Sequence, residues 1–510
     1  MSAEGQVLAV SHSIAMVGLE PCAVRVECSL GPGLPGLRLV GLPDLALRES
    51  VERVRTAVKQ QGLHWPGGQR TVVNLAPADL PKSGSGFDLP IAVAVLAATG
   101  QVPHEVLDRV WSVGELGLDG QLRAVPGVLP VAAGARHAGA GSLLVAPSAA
   151  PEAALVDGLT VVAVRDLREV VEVLRGRSCG TPARPAPVVV PQVGHDLADV
   201  RGQPVARRAL EIAAAGRHHL LLAGPPGCGK TMLARRLHGL LPPLQVGAAL
   251  EVAAIHSLAA QRRPDEALSL VPPLREPHHT VSVAGLVGGG SGIPRPGELS
   301  LAHHGLLLLD ELLETPRVIL DALRQPLERG EVVLTRARQQ VRYPCEVLLV
   351  AATNPCPCGY LGSPTRACRC RPDRIERYRS RLSGPLLDRL DLHLEVSPID
   401  REQLLGPPDG EPTATVAGRV VAARAAAAER WGEDAGNRDV EVARLRATAK
   451  PGALRTLAQA VEGLALSARA FDRALRVART IADLGGRSAI DPADVEEALA
   501  YRLADLAVAP

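Results

Sequence analysis

The chain has 510 residues, long enough for more than one domain, and its 46% hydrophobic content is enough for large cores. Aromatic residues make up only 2%, which argues against a single-strand binder that stacks bases on aromatic platforms; a net charge of +2 leaves nucleic-acid contact to local clusters. The nine cysteines are odd in number and unevenly placed, unlike a secreted disulfide framework. No leader-like start or membrane-length apolar run is present, so a reducing cytoplasm is the expected setting.

Residues 1–175 alternate strand and helix patterns. The Pro-rich stretch Thr181-Pro182-Ala183-Arg184-Pro185-Ala186-Pro187 cannot continue a helix and reads as part of a linker over 176–196. Next, Leu220-Leu221-Leu222-Ala223 is an apolar strand running into Gly224-Pro225-Pro226-Gly227-Cys228-Gly229-Lys230-Thr231. Met232 and its successors then read as a helix. That order is the setting a phosphate-binding loop needs: glycines let backbone N–H groups curl around phosphates, and the helix N-terminus adds a favourable dipole. Residues 224–232 are therefore the expected ATP contacts. Lys230 supplies a point charge, and Thr231 a hydroxyl for Mg²⁺. Cys228 reads as a small filler.

A Gly-rich insertion follows over 279–297. The strand Leu306-Leu307-Leu308-Leu309 then ends in Asp310-Glu311. Charge at the C-terminal end of a buried strand marks the ligand edge of an α/β sheet, so Asp310 is expected on Mg²⁺ and Glu311 on the attacking water. Residues 331–343 read as a β-hairpin with a polar tip. Arg336 and Arg338 are its candidate DNA-phosphate contacts; the alternative is an exposed hairpin with solvated arginines. Another apolar strand, 347–353, ends at Asn354, which can orient water against a phosphate. Cys356, Cys358, Cys368 and Cys370 form C-x-C…C-x-C. They either close a structural Zn²⁺ site or stay reduced thiols in a loop, and the one-residue spacing is tighter than usual. The pairs His278-His279 and His303-His304 would point apart on a strand or helix and read as packing or surface residues rather than ligands. An Arg-rich run over 377–391, with Arg381 and Arg389 in it, reads either as a solvated basic face or as the source of an arginine that reaches a neighbouring subunit's γ-phosphate. After the break Gly406-Pro407-Pro408-Asp409-Gly410 the chain reads as helical, with Asp491-Pro492-Ala493-Asp494 as a helix start.

These residues together resemble the ComM/YifB-type magnesium-chelatase-like AAA+ ATPases. The segments that carry the likeness include VGLPDLALRESVERVRTAV (40–58), NLAPADLPKSGSGFDLPIAVAVLAATG (74–100), GPPGCGKTMLARRL (224–237), GELSLAHHGLLLLDEL (297–312), ATNPCPCGY (352–360) and RLSGPLLDRLDLH (381–393). The resemblance implies an α/β protein. A Lon-protease-like (ribosomal S5 domain 2-like) domain would span 1–175, an AAA+ module 197–400 and a helical lid 401–510. It places Lys230 and Thr231 in Walker A, Asp310 and Glu311 in Walker B, Asn354 at sensor 1, Arg389 at the arginine finger and Arg469 at sensor 2, with Arg469 on the phosphates of its own subunit. Alignment on Lon sets Gly86 at the nucleophile and Leu129 at the base, which implies no peptidase activity. The implied activity is that of a ring ATPase, a hexamer, using ATP and Mg²⁺ to drive DNA branch migration or strand separation on single-stranded or branched DNA in natural transformation. The rival is a motor that remodels a protein partner.

Overall fold

A computed structural model describes residues 7–190, 194–263, 265–290, 293–336, 339–363, 366–432, 436–463 and 467–502. In the N-terminal region Val24, Val26 and Cys28 alternate inward along the strand Glu20–Gly31, the period-two signature of a half-buried sheet. That strand pairs antiparallel with Val7–Val17 and Arg70–Ala76, and Gly36–Val40 lies parallel at the edge. Helix Asp88–Ala98 is buried at every position, so it carries no polar face. Its one acid, Asp88, is held by Arg53 Nε at 2.8 Å. A second sheet joins Val110–Ser112, Ser142–Val145 and Thr160–Ala163 in parallel.

The Pro-rich stretch expected as a linker is fastened on both sides. Thr181–Pro182 is an antiparallel edge strand on Thr160–Ala163, the position where proline's missing N–H costs least. Val188–Val189 pairs parallel with Leu268–Ser269.

The middle of the chain builds a five-stranded parallel sheet in the order Leu274–Arg275, Leu306–Leu309, Leu348–Thr353, Leu220–Ala223, Leu392–Glu395. The three inner strands are buried along their whole length, as a sheet covered on both faces requires. Leu220 and Leu222 share a core with the helices Pro204–Gly216 and Ala468–Leu484. Leu221, Leu307 and Leu349 face the other core, with Leu286, Leu320 and Leu323. The strand order reverses at Leu220–Ala223, the switch point where such sheets bind ligands.

The C-terminal region is helical: Thr413–Trp431, Pro451–Gly463, Ala468–Leu484 and Pro492–Ala500. Ser467 caps its helix by accepting the Ala470 N–H at 3.2 Å. Leu475, Ala478 and Ala482 are buried and Phe471 packs at the rim, as the 3.6-residue period predicts. The Asp494 carboxylate accepts the Asp491 N–H at 2.8 Å, as the helix start expected there requires. Among the described residues no helix is long and apolar enough to cross a membrane.

Candidate nucleotide site and cysteine loop

The buried strand Leu220–Ala223 delivers the chain to the C-terminal edge of the sheet, and 224–229 turn it into helix Lys230–His238. Gly229 makes that turn at φ +91°, in the left-handed region that favours glycine. No side chain caps the helix, which leaves its first N–H groups for an anion. The buried Lys230 ammonium donates to the carbonyls of Gly224 at 2.8 Å and Pro225 at 2.9 Å, and to Asn354 Oδ1 at 3.1 Å. Thr231 Oγ1 donates to Asp310 Oδ2 at 2.6 Å. The other oxygen of Asp310 accepts the Glu311 N–H at 2.8 Å. Parallel pairing explains the convergence: Leu220–Ala223, Leu306–Leu309 and Leu348–Thr353 all end at one edge. Met232 packs against the core beneath. Burial pushes the Cys228 thiol up despite the nearby Lys230 charge, as suits a packed filler.

These groups fit a magnesium nucleotide. A hydroxyl and a carboxylate oxygen 2.6 Å apart are hard ligands for Mg²⁺. An ammonium and an uncapped helix end flank them for phosphate oxygens.

Glu311 has a left-handed backbone, φ +51°, and its carboxylate meets His279 Nδ1 at 3.0 Å. Sequence reasoning missed this contact. Neither histidine pair lies on the strand or helix that would point its rings apart, and in both the rings come together. The rings of His278 and His279 are 4.1 Å apart. Those of His303 and His304 are 3.8 Å apart, turned together by φ +58° at His304 onto the shared acceptor Glu251. The strand order alone held the missing signal. Leu274–Arg275 borders Leu306–Leu309 in parallel, so the segments leaving these two strands meet at the same edge.

The sulfurs of Cys356, Cys358 and Cys368 are 3.4 to 3.6 Å apart, and Cys370 completes a group with all ligand atoms within 4.8 Å of one another. Four thiolates on one Zn²⁺ stand about 3.8 Å apart by tetrahedral geometry, so the set fits zinc, whereas disulfides need about 2 Å. The loop they define is tied to the nucleotide site. It begins two residues after Asn354, and its Gly359, at φ +83°, lies so close to Pro226 that a Cβ would stand 2.5 Å from the ring.

The arginines sit elsewhere. Arg389 pairs with Glu328 and donates to the Pro385 carbonyl at 2.6 Å. Arg381 donates to the Leu313 carbonyl at 2.7 Å. Arg469 lines a cavity of about 180 Å³ with Arg389, Arg473, Arg476 and His219. His219 precedes the strand Leu220–Ala223, whereas 224–231 come after it, so Arg469 lies at the opposite end of the sheet from the glycine-rich loop 224–229 of its own chain. Own-subunit contact is thereby corrected. The cavity is braced by the fully buried Asp391, which accepts the His219 N–H at 3.0 Å and pairs with Arg473. Burial pushes the Asp391 carboxyl up, but the adjacent His218 and the Arg473 charge outweigh it and hold it well below the carboxylate range.

The hairpin forms over Glu331–Arg336 and Gln339–Pro344. Arg336 ends its first strand, and Arg338 lies outside the described residues. In the N-terminal region the buried Lys82 donates to the Pro77 carbonyl and Ser85 to Glu115. Leu129 is buried against Ala249 and Ala253.

Residues 196–404 match the family model for magnesium chelatase, subunit ChlI. Residues 26–149 match the model for subunit ChlI of Mg-chelatase, and 410–502 the one for the ChlI C-terminal region. An uncharacterized protein of Mycobacterium tuberculosis is 46% identical over 497 residues, 96% of this chain and 98% of its own length. The uncharacterized protein YifB of Escherichia coli is 43% identical over 98% of this chain and 97% of its own length. The competence protein ComM of Haemophilus influenzae is 43% identical over 97% of each.

Proposed function

The chain belongs to the magnesium chelatase ChlI family, with YifB and ComM among its relatives, and on that premise we propose that it is a ring-forming ATPase that moves DNA. The carrying observation is the meeting of Lys230, Thr231, Asp310, Glu311 and Asn354 at one edge of a parallel sheet. Bound ATP and Mg²⁺ supply the phosphoanhydride and the divalent charge. Residues 224–232 cradle the phosphates, and Lys230 turns from the loop carbonyls to phosphate oxygens. The Thr231 hydroxyl and Asp310 hold the metal. Glu311 takes a proton from the attacking water, which Asn354 orients.

Arg389 and Arg469 line one cavity at the far end of the sheet, so each chain offers them to its neighbour's nucleotide, with Arg381 as the rival finger. A ring, a hexamer by family habit, results from that division. Residues 1–175 serve as a Lon-like domain without peptidase chemistry, since Gly86 and Leu129 stand where the Lon nucleophile and base would be. After the fastened stretch 176–196, residues 197–400 are the AAA+ module and 401–510 the lid. The four cysteines hold a structural zinc. A cytoplasmic location accords with reduced thiols.

DNA as the substrate is supported by the name of the Haemophilus influenzae relative, the competence protein ComM, and by the arginines of the hairpin. Phosphate contacts of that kind bind without base preference and weaken with salt. ATP turnover measured with and without single-stranded and four-way-junction DNA, beside strand displacement, tests the reading. Lys230→Ala and Glu311→Gln must abolish both activities. Turnover that ignores DNA, with no displacement, leaves an ATPase that acts on a protein partner, the alternative suggested by the chelatase family.

A further inference from the structure

The loop that carries the four cysteines also carries charge. Residues 355–380 hold six arginines against two acids, Asp373 and Glu376. That surplus outlasts the twofold negative charge of four thiolates on one Zn²⁺. Arg366, Arg369, Arg371, Arg374 and Arg377 are all exposed, and among the described residues none of the five guanidinium groups meets a carboxylate. Other groups fasten the segment from beneath. Tyr378 is buried, and Arg379 Nε donates to the Pro355 carbonyl at 3.3 Å. Arg374 and Arg377, three residues apart on helix Pro372–Arg379, lie on one side of it. Five unpaired like charges within twelve residues repel one another, and a polyanion turns that repulsion into attraction.

Two observations select the kind of polyanion. The first is the state of the aromatic rings. The segment has two, Tyr360 and Tyr378; the Arg366 guanidinium covers the first at 4.4 Å from its centre, and the second is buried. A single strand finds no open ring on which to stack its bases, whereas a duplex turns only its phosphates and sugars outward. The second is the place of the segment in the fold. The hairpin leads through Pro344 into the N-terminal end of strand Leu348–Thr353, and the cysteine loop leaves the other end. The six residues of that strand keep the two basic surfaces ~20 Å apart. Nucleic acid held on the hairpin therefore reaches the loop only with another of its parts.

We propose that Arg366, Arg369, Arg371, Arg374 and Arg377 form a second nucleic-acid surface, which takes the phosphate backbone of a double-stranded segment. This rests on the reading of the chain as a motor that moves DNA, and adds a grip on the duplex beside the strand that lies on the hairpin.

The test is binding of the full chain, with a non-hydrolysable ATP analogue, to a blunt DNA duplex and to a single-stranded oligonucleotide, each followed by fluorescence anisotropy against salt concentration. One phosphate contact contributes about 0.9 to the slope of log affinity against log salt for duplex DNA. Arg371→Gln, Arg374→Gln and Arg377→Gln combined should lower the duplex slope by about two to three and weaken duplex binding about tenfold or more at low salt. Single-strand affinity, ATP turnover stimulated by single strands and melting temperature should stay as in wild type. An unchanged duplex slope in the folded variant makes the arginines a solvated face or a protein contact and overturns the proposal. Equal losses on duplex and single strand overturn it too. If the combined variant does not fold, Arg374→Gln alone decides: a slope lower by about one supports the surface, and an unaltered slope counts against it. Wild-type protein that binds neither DNA sinks the DNA reading and this one with it. Binding of single strands without binding of duplex sinks this one alone.

Discussion

Gly359→Ala is the sharpest probe of how the cysteine loop bears on the nucleotide site. The new Cβ would stand 2.5 Å from Cδ and Cγ of Pro226, where ordinary contact begins at 3.4 Å, so loop and P-loop must part by about 1 Å. Forcing a Cβ onto φ +83° adds ~1–2 kcal/mol of backbone strain, and overpacking adds ~1–3 kcal/mol. Gly362→Ala is the internal control: it lies in the same loop at φ +74°, but its Cβ would meet nothing within 4 Å. It should lose only the ~1–2 kcal/mol of strain. Melting curves and titration with a fluorescent ATP analogue separate the two effects. Gly359→Ala should bind ATP about tenfold more weakly, and turnover should fall by up to ~100-fold, because a misplacement near 1 Å is costly in a reacting site. Gly362→Ala should bind ATP like wild type. Equal affinities in both variants would refute the idea that the loop presses on residues 224–231.

Protein purified without chelator should carry about one zinc per chain, and Cys368→Ser should lose it; sub-stoichiometric zinc by mass spectrometry counts against the site. Asp391→Ala should lower stability by about 3–5 kcal/mol in a denaturant titration, because Arg473 and the His219 N–H lose their buried partner. The buried His393 has its pKa pushed down to about 4, by burial first and the Arg502 charge second. Its contribution to stability is therefore full above pH 6.5 and lost as pH falls through 4, about 3 kcal/mol in all. His393→Leu should flatten melting temperature against pH across that window, and an unchanged slope would refute the assignment.

Much of the ligand edge was legible because each part is local. An apolar run leading into Gly229-Lys230-Thr231, into Asp310-Glu311 or into Asn354 announces a strand together with the polar groups at its end. Parallel pairing then brings those ends together. The hairpin and the capped C-terminal helices were readable for the same reason. What escaped was non-local. The grip of His279 on Glu311 needs the strand order, which no stretch of sequence states. The joint turn of His303 and His304 needs a positive φ at a non-glycine residue. Arg469 was misplaced because helical spacing gives the face of Ala468–Leu484 but not the end of the sheet on which that face lands. The Pro-rich stretch concealed short pairings at Thr181–Pro182 and Val188–Val189, too brief to show periodicity.

With the glycine-rich loop 224–229 at one end of the sheet and the arginine cavity at the other, each molecule has a polarity. On the proposed chemistry such a body completes itself only head to tail, through unlike surfaces that either close on themselves or grow into an open filament. A dilute preparation would then be inert out of proportion to its concentration. Lys230→Ala mixed with Arg389→Ala would regain, at their shared seams, part of an activity that neither has alone.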